Sequence, residues 1–180
     1  MILSYNEAVK EYGSEYKLAK AVNEGDIYKK EEGIYSSSLY VSELAIIMKK
    51  YPKAVLTGEY AFYTHSMTTV IPEKYDLATP SKSAKLKDKR IHQIYVPESV
   101  FSMGIEEKEV DGAFVQIYDK ERMLIELLRN KNSMPYDLYK EIVINYREEI
   151  NDLDIRRIQE YAKIFPKSKL IRKALDEEIL

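Results

Sequence analysis

Between residues 13 and 35 the chain reads GSEYKLAKAVNEGDIYKKEEGIY, and its hydrophobic period changes midway. Before Gly25, the apolar residues Leu18, Ala21 and Val22 recur at helical spacing. After it, two short β-rich runs flank Glu32-Gly33, the composition of a tight turn between strands. A chain that obeys both periods this close together places a short amphipathic helix beside a small hairpin. Ser14 is positioned to cap that helix over 15–24, and Gly25 to end it in a left-handed conformation.

The inner face of this helix is Leu18, Ala21 and Val22, so Tyr16, Lys17, Lys20 and Asn23 point elsewhere. Upstream, Ser4 is placed to cap a helix over 5–12 with a narrow apolar face of Ala8, Val9 and Tyr12, and Gly13 breaks it. Two helices, a short turn, a buried inner face and an outer face with polar side chains are the parts of a helix-turn-helix. The same residues also describe an ordinary helical pair with a hairpin. Lys29 and Lys30 give the hairpin positive charge, and the adjacent Glu31 and Glu32 dilute it. Residues 41–50, VSELAIIMKK, predict a third helix able to pack against the first two.

From Tyr51 the pattern shifts. AVLTGEYAFYTH predicts a short strand, a Thr57-Gly58 turn and a helix. Residues 74–80 (KYDLATP) and 91–97 (IHQIYVP) read as strands, separated by the polar, basic loop SKSAKLKDKR at 81–90. In KEVDGAFVQIYD, Asp111-Gly112 sits between two β-rich runs, a strong hairpin signal.

After Asp119 the chain reads as helical to its end. Asp119 caps KERMLIELLRNK, whose Met123, Leu124, Leu127 and Leu128 form a wide apolar stripe. Pro135 opens a helix over 136–148. Asp152 or Asp154 opens another, with Ile155, Ile158, Tyr161, Ala162 and Phe165 inward. Ser168 is expected to cap the last, which carries Leu170, Ile171, Leu175 and Ile179. The order predicts an α+β protein of two domains, with the boundary between residues 36 and 52.

The 180 residues include no cysteine, which excludes disulfides, thiolate metal sites and a cysteine nucleophile and suits a reducing cytoplasm. MILSYNEAVK has neither a basic nor an apolar leader region, and no apolar run is long enough to span a bilayer. A cytoplasmic location without membrane contact is the expectation. Net charge is −2 and unevenly spread. Residues 51–96 hold seven Lys and Arg against four Asp and Glu, whereas residues 97–150 hold seven against twelve.

No HExxH pattern or carboxylate cluster accompanies His65 or His92, so no metal site is read. There is no phosphate-binding glycine loop and no G-x-S-x-G elbow. Glu106-Glu107 and Glu148-Glu149 are neighbours in charge runs rather than facing acid/base pairs. No cofactor and no enzymatic activity are expected. In the basic loop, Lys82, Lys85, Lys87, Lys89 and Arg90 form a candidate phosphate-contacting patch, or simply a solvated loop.

Three segments carry a resemblance in their order and spacing: YGSEYKLAKAVNEGDIYKKEEGIYSS, LTGEYAFYTHSMTTVIPEKYDLATP and FVQIYDKERMLIELL. Together they resemble the AbiEi-type antitoxins of type IV toxin–antitoxin, or abortive infection, systems. Gly33-Ile34-Tyr35 matches the strand that ends the winged helix of that family. Thr57, Gly58, Ala61 and His65 match an element that opens its second domain. Asp119 and Arg122 match a strand end that leads into a leucine-rich helix. The similarity covers nearly the whole chain.

The resemblance implies an N-terminal winged helix-turn-helix over 1–39, followed by a mixed α/β antitoxin domain over 40–180 that ends in a bundle of helices. It implies a transcriptional repressor that binds inverted repeats in its own promoter and counters a nucleotidyltransferase-like toxin. Direct contact with that toxin stays open, and a protein-binding module that neutralises the toxin by contact is the alternative. Ser14, Tyr16, Lys17, Lys20, Asn23, Lys29 and Lys30 are the candidate DNA-binding residues. Thr57, Gly58, Ala61, His65, Asp119 and Arg122 also have a structural reading as turn, packing, cap and internal ion pair. A DNA-binding domain this small buries little surface, so it should lean on residues 41–50 or on the second domain.

Overall fold

The computed structural model describes residues 1–180. The protein is mixed α+β with two sheets and a helical C-terminal region. It divides into two compact units, one of residues 1–54 with 108–115, the other of residues 55–107 with 116–180.

The first unit begins with strand β1 (Ile2–Ser4), followed by α1 (Tyr5–Tyr12) and α2 (Glu15–Glu24). Strands β2 (Tyr28–Glu31) and β3 (Ile34–Ser36) form the hairpin, and α3 (Glu43–Lys50) follows. The antiparallel sheet has the order β1-β3-β2, with Leu3 opposite Tyr35 and Lys29 opposite Tyr35 from the other side. β1 has no counterpart in the sequence reading, because three residues before a helix cap show no period.

Ser4 caps α1 through a reciprocal box. Its hydroxyl accepts from the Glu7 amide at 3.4 Å, and its own amide donates to the Glu7 carboxylate at 2.7 Å. Gly13 and Gly25 end α1 and α2 with φ of 85° and 82°, the left-handed region where a side chain is disfavoured. Leu3, Ala8, Leu18, Ala21, Ile27 and Tyr35 make one core, with Val9, Tyr12 and Val22 packed against it. Leu44, Ala45, Ile47 and Met48 are the buried face of α3, which packs on β1 and β3. The small unit therefore does lean on residues 41–50, and it runs beyond residue 39.

In the second unit, β4 (Val55–Leu56) leads into α4 (Gly58–Thr64), then β5 (Tyr75–Pro80), β6 (Ile91–Val96) and the short α5 (Glu98–Phe101). β7 (Ile105–Val110) and β8 (Ala113–Tyr118) follow, and they meet at Asp111-Gly112, within the 108–115 segment of the first unit, where both residues have positive φ as a tight hairpin turn requires. The sheet order is β6-β5-β4-β8-β7. β4 runs antiparallel to β5 and parallel to β8, and β5 and β6 are parallel in register from Tyr75↔Ile91 to Pro80↔Val96.

Parallel neighbours need a return connection. Residues 81–90 provide it, so the basic loop is a crossover strap. Gln93 pins the strap, accepting from the Leu86 amide at 2.8 Å and donating to the Ala84 carbonyl at 3.1 Å.

Helices α6 (Lys120–Arg129), α7 (Tyr136–Glu149), α8 (Ile155–Ile164) and α9 (Ser168–Ala174) complete the chain. Asp119 and Asp154 cap α6 and α8 by accepting from the Arg122 and Arg157 amides at 2.6 and 3.0 Å. Ser168 does not cap α9. It is the first helical residue, and Lys167, with φ of 68°, holds the cap position without a side-chain bond. No helix is long and apolar enough to cross a membrane.

Candidate nucleic-acid interface

The inner face of α2 is fixed by burial of Leu18 and Ala21, which leaves Tyr16, Lys17, Lys20 and Asn23 on the exposed side. Tyr16 is 79% exposed. Lys17 carries no ion pair. Lys20 meets Glu24 at 3.6 Å, one turn on, an exposed pair that water and salt weaken. Ser14 caps the helix by accepting from the Lys17 amide at 3.2 Å. Its hydroxyl hydrogen stays available beside the first-turn amides, a placement suited to a phosphate.

The hairpin separates its two lysines. Lys29 is exposed on β2. At Lys30 the pairing slips, and its ammonium turns back to donate to the Leu39 carbonyl and lies 5.3 Å from the Tyr28 ring centre. Glu31 pairs with Lys50 at 3.6 Å, so part of the acidic charge beside the lysines is matched within the unit.

On the crossover strap, Lys82, Lys85, Lys87 and Lys89 are exposed. Arg90 is not equivalent to them, because its guanidinium grips Asp88 at 2.9 and 2.6 Å. A further basic stretch escaped the sequence reading. Residues 156–173 hold seven Lys and Arg against one Glu, and Arg156, Lys163, Lys169, Arg172 and Lys173 are exposed on α8 and α9. Counting charge over 151–180 hides this stretch, because five of the six acids there lie outside it. A narrower window would have found it.

The residues that carry the resemblance in the second unit serve its structure. Ala61 is fully buried, and the Thr57 amide donates to the Asp76 carbonyl at 2.9 Å. His65 is buried with Nε2 2.7 Å from the Tyr118 carbonyl. Asp119 is half a cap and half a charge partner, 3.4 Å from Arg157. Burial raises its pKa, and the Arg122 amide bond opposes that. Arg122 pairs with Glu126 at 2.8 Å rather than with Asp119. His92 has a carboxylate partner that the sequence concealed: its Nδ1 lies 2.6 Å from Asp76 Oδ1 across two parallel strands.

No family model and no curated protein matches the chain. Among solved structures it is similar to the crystal structure of the RV2827C protein from Mycobacterium tuberculosis, with a TM-score of 0.66 and 10% identity. That match covers 99% of this chain and 72% of the other, and at this identity it shows a shared fold.

Proposed function

We propose that the N-terminal residues form a winged helix-turn-helix that binds DNA, and that the chain is an antitoxin and transcriptional autorepressor of a type IV toxin–antitoxin operon. Its targets are inverted repeats in its own promoter, and the toxin it counters is nucleotidyltransferase-like. The observation that carries the reading is the outer face of α2. One aromatic, two lysines and an asparagine stand exposed there on a helix capped at both ends. A ten-residue helix is roughly 15 Å long and fits the major groove.

In that groove Asn23 suits an adenine edge, and Lys17 and Lys20 suit guanine edges or phosphates. Ser14 and the α2 N-terminus position the backbone, and Lys29 holds phosphate from the hairpin. The order of motifs shared with AbiEi-type antitoxins supplies the operon context. Lys17→Ala with Lys20→Ala tests the assignment. Promoter affinity falls by tenfold or more and the salt slope drops by about two, while protection against the toxin persists. Unchanged promoter binding across salt would remove α2 from the groove.

A second reading, neutralisation by direct toxin contact, is favoured by β7. It is an edge strand, and Glu106, Glu107 and Glu109 are exposed along it. An acidic edge suits a basic partner. Co-purification of toxin with the parent chain, lost in Glu106→Lys with Glu107→Lys, would select this reading.

A further inference from the structure

The second unit contains an open cleft of 1130 Å³, bordered by the start of α4, by β6, by the crossover strap and by α6. Part of its wall is apolar, with Leu86, Ile94 and Met134. Asp76 and His92 lie side by side in it because β5 and β6 are parallel and in register.

The pair is built in layers. The Asp76 side chain is 10% exposed, and Oδ2 accepts from the Tyr60 amide at 3.3 Å. Gly58 makes room for it, since a Cβ there would come within 2.7 Å of the carboxyl carbon. The carboxylate in turn holds Nδ1 of His92, whose side chain is 64% exposed. An imidazole bound through Nδ1 presents Nε2 to whatever enters the cleft. The bond satisfies a largely buried carboxylate and leaves the exposed imidazole as a fixed polar anchor.

The charges around the anchor are of both signs. Asp88 is matched by Arg90, and Glu126 by Arg122 and Arg129. Lys74, Lys85 and Lys89 remain against Glu59, Glu73 and the Asp76 carboxylate that holds His92. Burial and the neighbouring Asp76 raise the pKa of Glu59. Arg129 also lines the cleft, and its guanidinium pairs with Glu126 while its buried Nε has no hydrogen-bond partner. Cationic donors, an oriented imidazole and an apolar wall together suit a ligand that is anionic at one end and flat and apolar at the other.

We propose that this cleft binds a nucleoside phosphate, with Lys85 and Lys89 on the phosphate, His92 as the polar anchor and the base against the apolar wall. The ligand is either a free nucleotide or the terminal nucleotide of an RNA strand. The site shares no residue with α2, so it stands or falls independently of promoter binding.

The test titrates the full chain with the four nucleoside monophosphates, with ATP and with a 5′-phosphorylated RNA hexamer, by calorimetry. Saturable binding that weakens at least tenfold in His92→Ala, and likewise in Lys85→Ala with Lys89→Ala, is expected. Binding of the mononucleotides or ATP would identify a free nucleotide, and binding of the hexamer alone a strand end. His92→Ala leaves the Asp76 carboxylate one partner short and lowers the melting temperature, whereas Lys85→Ala with Lys89→Ala alters only exposed side chains and should melt like the parent, which separates lost ligand contact from lost fold. No saturable binding of any probe, or equal binding by parent and variants, would overturn the proposal.

Discussion

Arg122 carries a full charge with no exposed surface. One guanidinium nitrogen donates to the Val100 and Met103 carbonyls at 2.6 and 3.2 Å, and the others reach Glu126 at 3.2 and 2.8 Å. Its plane lies between the Tyr118 and Phe165 rings, 4.4 and 4.0 Å from their centres. Burial pulls its pKa down, and Glu126 opposes that. Removing the side chain would strand two carbonyls and a carboxylate, so Arg122→Ala should cost about 3–5 kcal/mol in urea unfolding. Arg122→Lys should recover little, because an ammonium can neither fork nor stack in this way. Gly58 is constrained both by φ of 58° and by Asp76 against its Cα, so Gly58→Ala should cost about 2 kcal/mol, read as a lowered melting temperature.

At the scale of elements, the join between α1 and α3 depends on one carboxylate. Glu7 is 2.6 Å from Lys49 and closes the Ser4 box. The hydrogen bond from Lys49, followed by those from the Ser4 amide and hydroxyl, lowers its pKa to about 2 from an ordinary 4.5. A depressed carboxylate stabilises fully above its unfolded value, and that stabilisation is lost as pH falls from 4.5 towards 2. The side chain is half exposed, so the gain is screened to below about 1 kcal/mol. Lys49→Ala should flatten that acid limb in a stability–pH profile, and Ser4→Ala should cost about 1 kcal/mol at neutral pH.

The same elements show what the sequence can reveal. Helices α1, α2, α6 and α8 were legible because caps and apolar period agree at each, and α7 was legible from Pro135 at its start. β1, the parallel pairing of β5 with β6 and the bare cap of α9 were not, because pairing partners and backbone strain leave no local pattern. The exposed face of α2 follows from its period. The turned-back Lys30, the gripped Arg90 and the Asp76–His92 pair depend on partners distant in sequence or on a local slip in pairing, and are visible only once the chain is folded.

Across the whole molecule, a net charge of −2 coexists with basic surfaces on the strap and on α8 and α9, while on α2 Lys17 and Lys20 stand beside Glu15 and Glu24. Local charge, not the sum, governs contact with phosphates. The DNA binding proposed for α2 should therefore be salt-sensitive even though the chain is acidic overall. Its most direct test is titration of the full chain against its own upstream DNA and against a scrambled duplex, at two salt concentrations. Promoter recognition through α2 predicts tight binding to the upstream DNA, weaker binding to the scrambled duplex, and a loss of affinity as salt rises. Equal binding to both duplexes, or to neither, would contradict it and leave α2 and the hairpin as structural elements.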